Sequence, residues 1–332
     1  MIIQMKDCPL PILWLDTNVV IDMTKYREDV ELKDLQRERV SKLIDVIYQK
    51  TRAGKLLYVE GDQDEEINSL NNEAHRTQSF LSMGIKFQFR KAIHDEQLYA
   101  FMEAYINKED TVIMDYRDAF YNDPVEELKE RNKEILNGLI ISVHGEVTEQ
   151  EIRERTNRKQ IILEQFNELR QILVASGVTY EQQLEQEYTG IIQASRVVID
   201  KIRNKVSNGL MITTEDIDQL SIITDLGTMW NQLSDRPEGL IDFLKSECYK
   251  EIPHIDIGSK LLAKIITSIT PVVSGDSMDV NHISTVLPYS DIVVTDRKMK
   301  NRIVQLGIDK KYNTKVLCLN DIDQILSELE RL

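Results

Sequence analysis

The chain is poor in the residues that mark several common protein classes. Its 332 residues include three cysteines, Cys8, Cys248 and Cys318, which lie far apart and form no CxxC pair. No zinc-ligand spacing follows from them, and free thiols in a reducing cytosol are the simplest interpretation. No apolar run reaches the roughly 18 residues of a membrane span, and no targeting segment stands at the N-terminus. We therefore expect a soluble, cytoplasmic protein with no membrane partner.

Positive charge is also scarce. The chain has 41 Lys and Arg against 56 Asp and Glu, which gives a net charge of -15. This balance argues against a broad electrostatic nucleic-acid binder, although bound metal ions would offset a local excess of carboxylates. There is no glycine-rich phosphate loop, and no histidine stands in a nucleophile motif. Any contact with nucleic acid should therefore be local and small.

Both ends of the chain alternate strands and helices, as is typical of a parallel sheet. The N-terminal part predicts a buried strand over 10–21, a helix over 28–53, a strand over 55–60 and a helix that begins at Asp62. The C-terminal part predicts a helix over 279–287, a strand over 292–295, a helix over 298–306, a strand over 314–319 and a last helix capped by Asn320 or Asp321.

Between these ends, long charged helices replace the strands, notably over 126–139, 148–176, 180–206 and 214–233. We therefore predict an α/β protein in which residues 1–87 and 271–332 together form one parallel sheet flanked by helices. Residues 88–270 would be a large all-helical insertion into that domain.

Carboxylates follow the predicted strands. Asp16 ends the first strand and Asp296 closes the strand over 292–295, so both should lie at the carboxyl edge of the sheet, where ligands bind. Thr295 can hydrogen-bond a carboxylate or a phosphate oxygen, and Asn18 can brace the loop or reach a metal-bound water. The structural alternative for Asp16 is an N-cap or an Asx-turn.

A second acidic group follows the strand over 55–60. Glu66 is the best candidate to face the sheet edge, with Asp62 and Glu65 as alternatives. The structural alternative is a solvated helix start that the helix dipole favours.

A third group lies near the C-terminus. Asp279 and His282 are three residues apart and share a helical face. Asp276 is an alternative cap, and His282 either supports a ligand or is structural. Asp291 begins the strand that Asp296 ends, roughly 17 Å away if extended, so it is a weaker supporting candidate.

Several carboxylates in one place repel each other unless a cation joins them. Ligands with oxygen alone suit Mg²⁺ or Mn²⁺. Such ions stabilise charge on phosphoryl oxygens and turn water into a nucleophile. The chemistry that fits this set is phosphodiester hydrolysis without a protein nucleophile.

The segment Leu15-Asp16-Thr17-Asn18 resembles the opening strand of PIN-domain nucleases, and 279–282 with Val294-Thr295-Asp296 resembles the closing half of that domain. The resemblance covers about 140 residues at the two ends. It implies a metal-binding quartet of Asp16, Glu66, Asp279 and Asp296. It also implies a Mg²⁺- or Mn²⁺-dependent endoribonuclease that acts on RNA rather than DNA, in a toxin or defence setting.

The helical insertion departs from the PIN pattern. We expect it to cover the site, select the RNA, or carry a surface for a protein partner or for self-association. The basic run after Asp296 is better placed to meet a phosphate backbone, through Arg297, Lys298 and Lys300.

Two other functions compete with a nuclease. A haloacid-dehalogenase-like phosphohydrolase also opens with an aspartate after an apolar strand, and the segment Gly275–Asp279 partly mimics its closing motif. That family needs a second aspartate where this chain has Asn18. The other alternative is a non-catalytic PIN-like scaffold whose helical region is the interaction surface.

Overall fold

A computed structural model describes residues 1–30, 32–61, 63, 72–135 and 148–332. Within these ranges the chain is mixed α/β, with small parallel sheets flanked by helices, which confirms the predicted α/β class. The strands are β1 Ile2–Lys6, β2 Ile12–Leu15, β3 Leu57–Val59, β4 Thr111–Asp115, β5 Ile292–Val294 and β6 Lys315–Leu317.

Helices flank the sheet at both chain ends. The N-terminal part contains α1 Thr17–Arg27, α2 Asp34–Arg52 and α3 Asn72–Ser82. The middle part contains α4 Arg90–Asn107, α5 Pro124–Ile135, α6 Glu149–Ala175, α7 Tyr180–Ser207, α8 Thr214–Leu233, α9 Gly239–Leu244, α10 Glu247–Lys250 and α11 Pro253–Ile266. The C-terminal part contains α12 Asp276–Val286, α13 Arg297–Gln305, α14 Ile308–Lys311 and α15 Ile322–Glu330. No helix in the described ranges combines the length and the apolar character that crossing a bilayer requires.

The main sheet joins the two chain ends. Its four parallel strands lie in the order β3-β2-β5-β6. Leu13 of β2 pairs with Tyr58 on one side and with Ile292 on the other. The N- and C-terminal segments thus each contribute two strands to this sheet, whereas β1 belongs to a separate two-stranded sheet with β4.

The two faces of this sheet have separate cores, because successive side chains of a strand point to opposite faces. Trp14 and Val293 join a large cluster that also contains residues of the long middle helices, such as Trp230. Leu15 and Val294 face the other cluster, which α1, α2 and α15 cover. The predicted insertion thus shares its core with one face of the sheet.

Two expectations for the secondary structure are wrong. The first strand ends at Leu15, and α1 begins at Thr17 instead of continuing the strand to residue 21. The β-branched run over 19–21 suggested a strand, but Val19, Val20 and Met23 are buried together on one helical face.

The middle part is not all-helical either. Strand β4 pairs in parallel with β1 near the N-terminus, with Ile2 opposite Thr111. Val112 and Met114 of β4 are buried and Ile113 is exposed, so the short segment does alternate. Its partner lies more than 100 residues away, and local periodicity therefore could not establish the pairing.

The long middle helices begin where the sequence predicts. Thr148, Thr179 and Thr213 each form a capping box with the residue three places later, which satisfies the first amides of α6, α7 and α8. The predicted helix over 126–139 corresponds to α5, and its last residues lie outside the described ranges.

Candidate functional site

The carboxyl ends of β2 and β5 form the crevice of the main sheet. From β2 the chain continues to β3 on one side, whereas β5 and β6 lie on the other side. In α/β sheets, ligands bind outside the carboxyl ends of strands where the strand order reverses. Asp16 follows β2, and Thr295 and Asp296 follow β5. The fold therefore brings these three residues to one place.

Asp16 is held at the bottom of this crevice. Its side chain is 2% exposed, and its Oδ2 accepts a hydrogen bond from Thr295 Oγ1 at 2.7 Å. Asp16 occupies the N-cap position of α1, but its side chain makes no capping hydrogen bond there. The N-cap alternative therefore does not explain the orientation of the carboxylate. Burying a carboxylate is costly unless partners compensate it, so this arrangement indicates a specific role.

Asp296 has a structural task of its own. It is the N-cap of α13, and its Oδ1 accepts hydrogen bonds from the amides of Lys298 at 2.6 Å and Met299 at 3.2 Å. Among the described residues, its Oδ2 accepts no hydrogen bond. One oxygen thus stabilises the helix start, and the other is available to a ligand in the crevice.

A cleft of about 140 Å³ lies beside these carboxylates. Asn18 and Asp22 of α1 form one wall, and Thr295, Asp296 and Arg297 form another. The turn after β6 closes the cleft with Cys318, Leu319 and Asn320, none of which the sequence predicted as a site residue. The cleft therefore contains four of the predicted site residues: Asn18, Thr295, Asp296 and Arg297.

Asp276 is paired with two cations of α13. It is 3% exposed and accepts hydrogen bonds from Arg302 Nη1 at 2.6 Å and from Lys298 Nζ at 3.1 Å. Burial alone would raise the pKa of Asp276, but the Arg302 guanidinium, the Val273 amide and the Lys298 ammonium lower it. This carboxylate is neutralised within the protein.

Two of the three basic residues predicted to bind phosphate form ion pairs within the protein. Lys298 pairs with Asp276, and Lys300 pairs with Asp321 at 2.7 Å. Arg297 alone of the three predicted residues lines the cleft. Acids on neighbouring elements hold both ammonium groups, so phosphate binding by Lys298 and Lys300 would compete with these ion pairs and stays a prediction.

Asp279 and His282 both lie on α12. His282 is 2% exposed and packs against Trp14 of β2, with ring centroids 6.4 Å apart. It therefore occupies the core, as its structural alternative predicted. Asp279 stands in the first turn of α12, partly buried, and does not line the cleft.

Asp291 lies at the other end of β5. Its Oδ2 accepts a hydrogen bond from the Ile12 amide at 2.7 Å, and burial raises the pKa of its carboxyl. The residue fastens the amino ends of β2 and β5 together. Asp291 thus lies at the sheet edge opposite Asp16, at the end of the strand where the sequence predicted the weaker candidate.

The second acidic group falls outside the described residues. Glu66, Asp62 and Glu65 belong to the ranges that the structure does not describe, so the choice among them stays a prediction. Gln63 between them is described and fully buried.

Gln63 is a site residue that sequence reasoning missed. Its Nε2 lies 3.1 Å from the Leu15 carbonyl and 3.1 Å from Thr17 Oγ1, the two neighbours of Asp16. Its Oε1 accepts a hydrogen bond from Gln78 of α3 at 2.9 Å. A polar stripe at 75, 78 and 82 on an otherwise apolar helix face was the available signal.

A metal fits these residues only in part. Asp16 and Asp296 offer carboxylate oxygens from two adjacent strands, which suit Mg²⁺ or Mn²⁺. Among the described residues, no three acidic, histidine or cysteine side chains are grouped closely enough to hold an ion. A complete ligand set would need the acidic segment around Glu66.

Comparison with known proteins found no match. No protein-family model matches the chain, and no curated protein and no solved structure is significantly similar to it. The PIN-like assignment therefore stays a prediction that rests on the residues and on the crevice.

Proposed function

We propose that this chain is a metal-dependent nuclease with a PIN-like fold, which hydrolyses phosphodiester bonds in RNA rather than DNA. The observation that carries the proposal is the pair of carboxylates at the carboxyl ends of β2 and β5. Asp16 is buried there and fixed by the Thr295 hydroxyl, and Asp296 lines the adjoining cleft.

Asp16, Glu66, Asp279 and Asp296 would hold Mg²⁺ or Mn²⁺. When bound, such ions stabilise charge on phosphoryl oxygens and lower the pKa of a bound water. The remaining tasks belong to the chain itself. Thr295 orients the Asp16 carboxylate through its hydroxyl. Arg297 stands in the cleft, where its guanidinium suits a phosphate oxygen.

A non-catalytic scaffold is the second candidate. Two observations favour it: Asp296 caps α13, and Asp276 is neutralised by Lys298 and Arg302. Both carboxylates thus have a structural role, as a helix cap and as an ion-pair partner, that needs no ligand. In a scaffold, removing the Asp16 charge would affect folding or partner binding but no hydrolytic activity.

The test compares three aspartate-to-asparagine variants on labelled RNA and DNA, single-stranded and duplex, with Mn²⁺ or Mg²⁺. Asp16→Asn and Asp296→Asn should lower the cleavage rate at least ~100-fold, since a metal supplies several kcal/mol of charge stabilisation. Asp291→Asn is the matched control. It changes a hydrogen-bonded carboxylate on the same strand pair, but at the opposite edge.

Mn²⁺ titration followed by electron paramagnetic resonance supplies a readout besides activity. The wild type should bind Mn²⁺ and Asp16→Asn should bind it more weakly. Equal cleavage by the wild type and Asp16→Asn would refute the nuclease proposal. Folded wild-type protein that neither binds Mn²⁺ nor cleaves any substrate would favour the scaffold.

A further inference from the structure

An exposed pair of aromatic rings lies at the same edge of the sheet as Asp16. Phe89 is 63% exposed and Tyr121 is 51% exposed. Their rings meet edge to face, with centroids 6.0 Å apart. Single exposed apolar side chains are ordinary on protein surfaces, but two large exposed rings in contact form a continuous apolar patch.

The backbone fixes this pair in place. Phe87 forms an antiparallel bridge with Phe120. Phe87 lies two residues before Phe89, and Phe120 lies one residue before Tyr121. Gln88 lies between the bridge and Phe89. Its amide donates to the Ala119 carbonyl at 2.8 Å, and its side chain donates to the Phe120 carbonyl. The Phe89 amide in turn donates to Tyr121 Oη at 3.4 Å. The rings are thus preorganised, so little conformational entropy is lost when a ligand stacks on them.

The register of the strands places the pair relative to Asp16. Lys86 forms a parallel bridge with Glu60, the residue after β3. Trp14 pairs with Val59, so Glu60 is level with Leu15. Because both pairings are parallel, the chain after Lys86 runs in the same direction as the chain that enters Asp16. Phe89 therefore lies two strand spacings from Asp16 across the sheet and about two residues further along the strand direction. This puts the Phe89 backbone on the order of 12 Å from that of Asp16.

Two basic side chains near Phe89 could contact a phosphate backbone. Lys86 lies three residues before Phe89 and Arg90 follows it directly, and within the described part of the chain neither takes part in an ion pair. Phe89 is the N-cap residue of the 18-residue helix α4, whose N-terminal amides add positive potential. Both features are local exceptions on a chain whose net charge is -15.

We propose that Phe89 and Tyr121 form a stacking platform for the bases of single-stranded RNA, with Lys86 and Arg90 contacting the adjoining phosphates. Aromatic rings bind unpaired bases because every base offers a π-face, whereas the bases of a duplex are already stacked. The platform and the cleft lie on opposite flanks of Asp16. A strand that spans them brings a phosphate over Asp16 and Asp296, which makes single strands the substrate class. This proposal rests on the proposed nuclease function.

The test measures binding apart from cleavage. Short fluorescein-labelled RNA strands, single-stranded and duplex, are titrated with full-length protein in EDTA and followed by fluorescence anisotropy. Phe89→Ala and Tyr121→Ala should each weaken single-strand binding about tenfold to a hundredfold. Phe89→Trp should restore it. Arg90→Gln should weaken binding. It should also reduce the slope of the logarithm of the binding constant against the logarithm of the salt concentration by about the amount of one phosphate contact.

Phe80→Ala is the matched control. Phe80 is 41% exposed and stacks on Tyr48 with centroids 5.2 Å apart. The Arg27 guanidinium lies over the Phe80 ring and that of Arg52 lies over Tyr48, so this second pair offers fewer open ring faces. Its loss should leave RNA binding unchanged, and circular dichroism should show all variants folded.

The outcomes separate the two proposals. Single-strand binding in EDTA that depends on Phe89 supports the platform, even if no cleavage is found and the nuclease proposal fails. Binding that is equal in wild type and Phe89→Ala overturns the platform, even if cleavage depends on Asp16. Wild type that binds no single strand, or binds duplex equally well, also overturns it and leaves a protein partner as the occupant. In cleavage assays the platform variants should raise KM and leave kcat nearly unchanged.

Discussion

Two stacked histidines should make this protein sensitive to mild acid. His94 of α4 and His254 of α11 lie face to face, with ring centroids 4.1 Å apart and planes 7° apart. His94 Nε2 is 2.9 Å from Thr285 Oγ1, and His254 Nδ1 is 2.9 Å from Gln97 Oε1. Thr285 Oγ1 also donates to the Asn281 carbonyl, so it accepts from His94. Both rings are therefore neutral donors in the folded state.

The size of the effect follows from the pKa values. Burial and, to a smaller extent, the nearby Arg90 charge lower the pKa of His94 to about 3 from 6.5. Burial, followed by the His94 ring, lowers the pKa of His254 in the same direction. Between pH 6.5 and 3 the unfolded chain binds protons that the folded chain does not, so stability falls as the pH falls. At pH 4.5, two pH units below 6.5, His94 alone accounts for about 3 kcal/mol.

The assay is urea unfolding, followed by circular dichroism, at several pH values from 7.5 to 4.5. The control is the double variant His94→Gln and His254→Gln, whose amides keep a donor at both positions without a titrating group. Carboxyls with a raised pKa, such as Asp118 and Asp291, act in the opposite sense in this range, but they contribute equally to both proteins. The wild type should therefore lose about 3 kcal/mol or more beyond what the variant loses. Parallel pH profiles for the two proteins would refute the assignment of this acid sensitivity to the stacked pair.

Three substitutions around Asp16 should separate positioning from packing. Thr295→Val removes the hydroxyl that holds the carboxylate and should cost about 1–3 kcal/mol of stability in chemical denaturation, with Thr295→Ser restoring it; equal stability of the Val and Ser variants would contradict this reasoning. Gln63→Leu leaves the Leu15 carbonyl and the Thr17 hydroxyl without their donor and should lower stability by a similar amount. Gln63→Glu, protonated at low pH, can still donate to one of these two oxygens and should lower stability less. Gly61→Ala places a methyl 2.5 Å from Trp14 Nε1 and should lower the thermal midpoint through overpacking worth about 1–3 kcal/mol; an unchanged midpoint would show that the indole shifts freely.

The sequence by itself determined the elements whose signals are local. The long charged runs over 148–176, 180–206 and 214–233 predicted three of the long helices, and the structure shows that capping boxes within one turn of the chain, at Thr148, Thr179 and Thr213, begin them. The apolar runs that end in Asp16 and Asp296 gave the two central strands of the sheet and the edge at which both carboxylates lie. A buried parallel strand reads as a continuous apolar run, and the residue after it must lie at the carboxyl edge.

Only the tertiary structure decided which side chains face each other. The bond from Thr295 to Asp16 joins residues 279 positions apart, and β1 pairs with β4 across more than 100 residues. Asp276 lies against Lys298 and Arg302, so Lys298, predicted to bind phosphate, has an acidic partner within the protein. The sequence shows which charged side chains a chain contains. Which of these charges are left unpaired for a ligand depends on the residues that the tertiary structure places beside them.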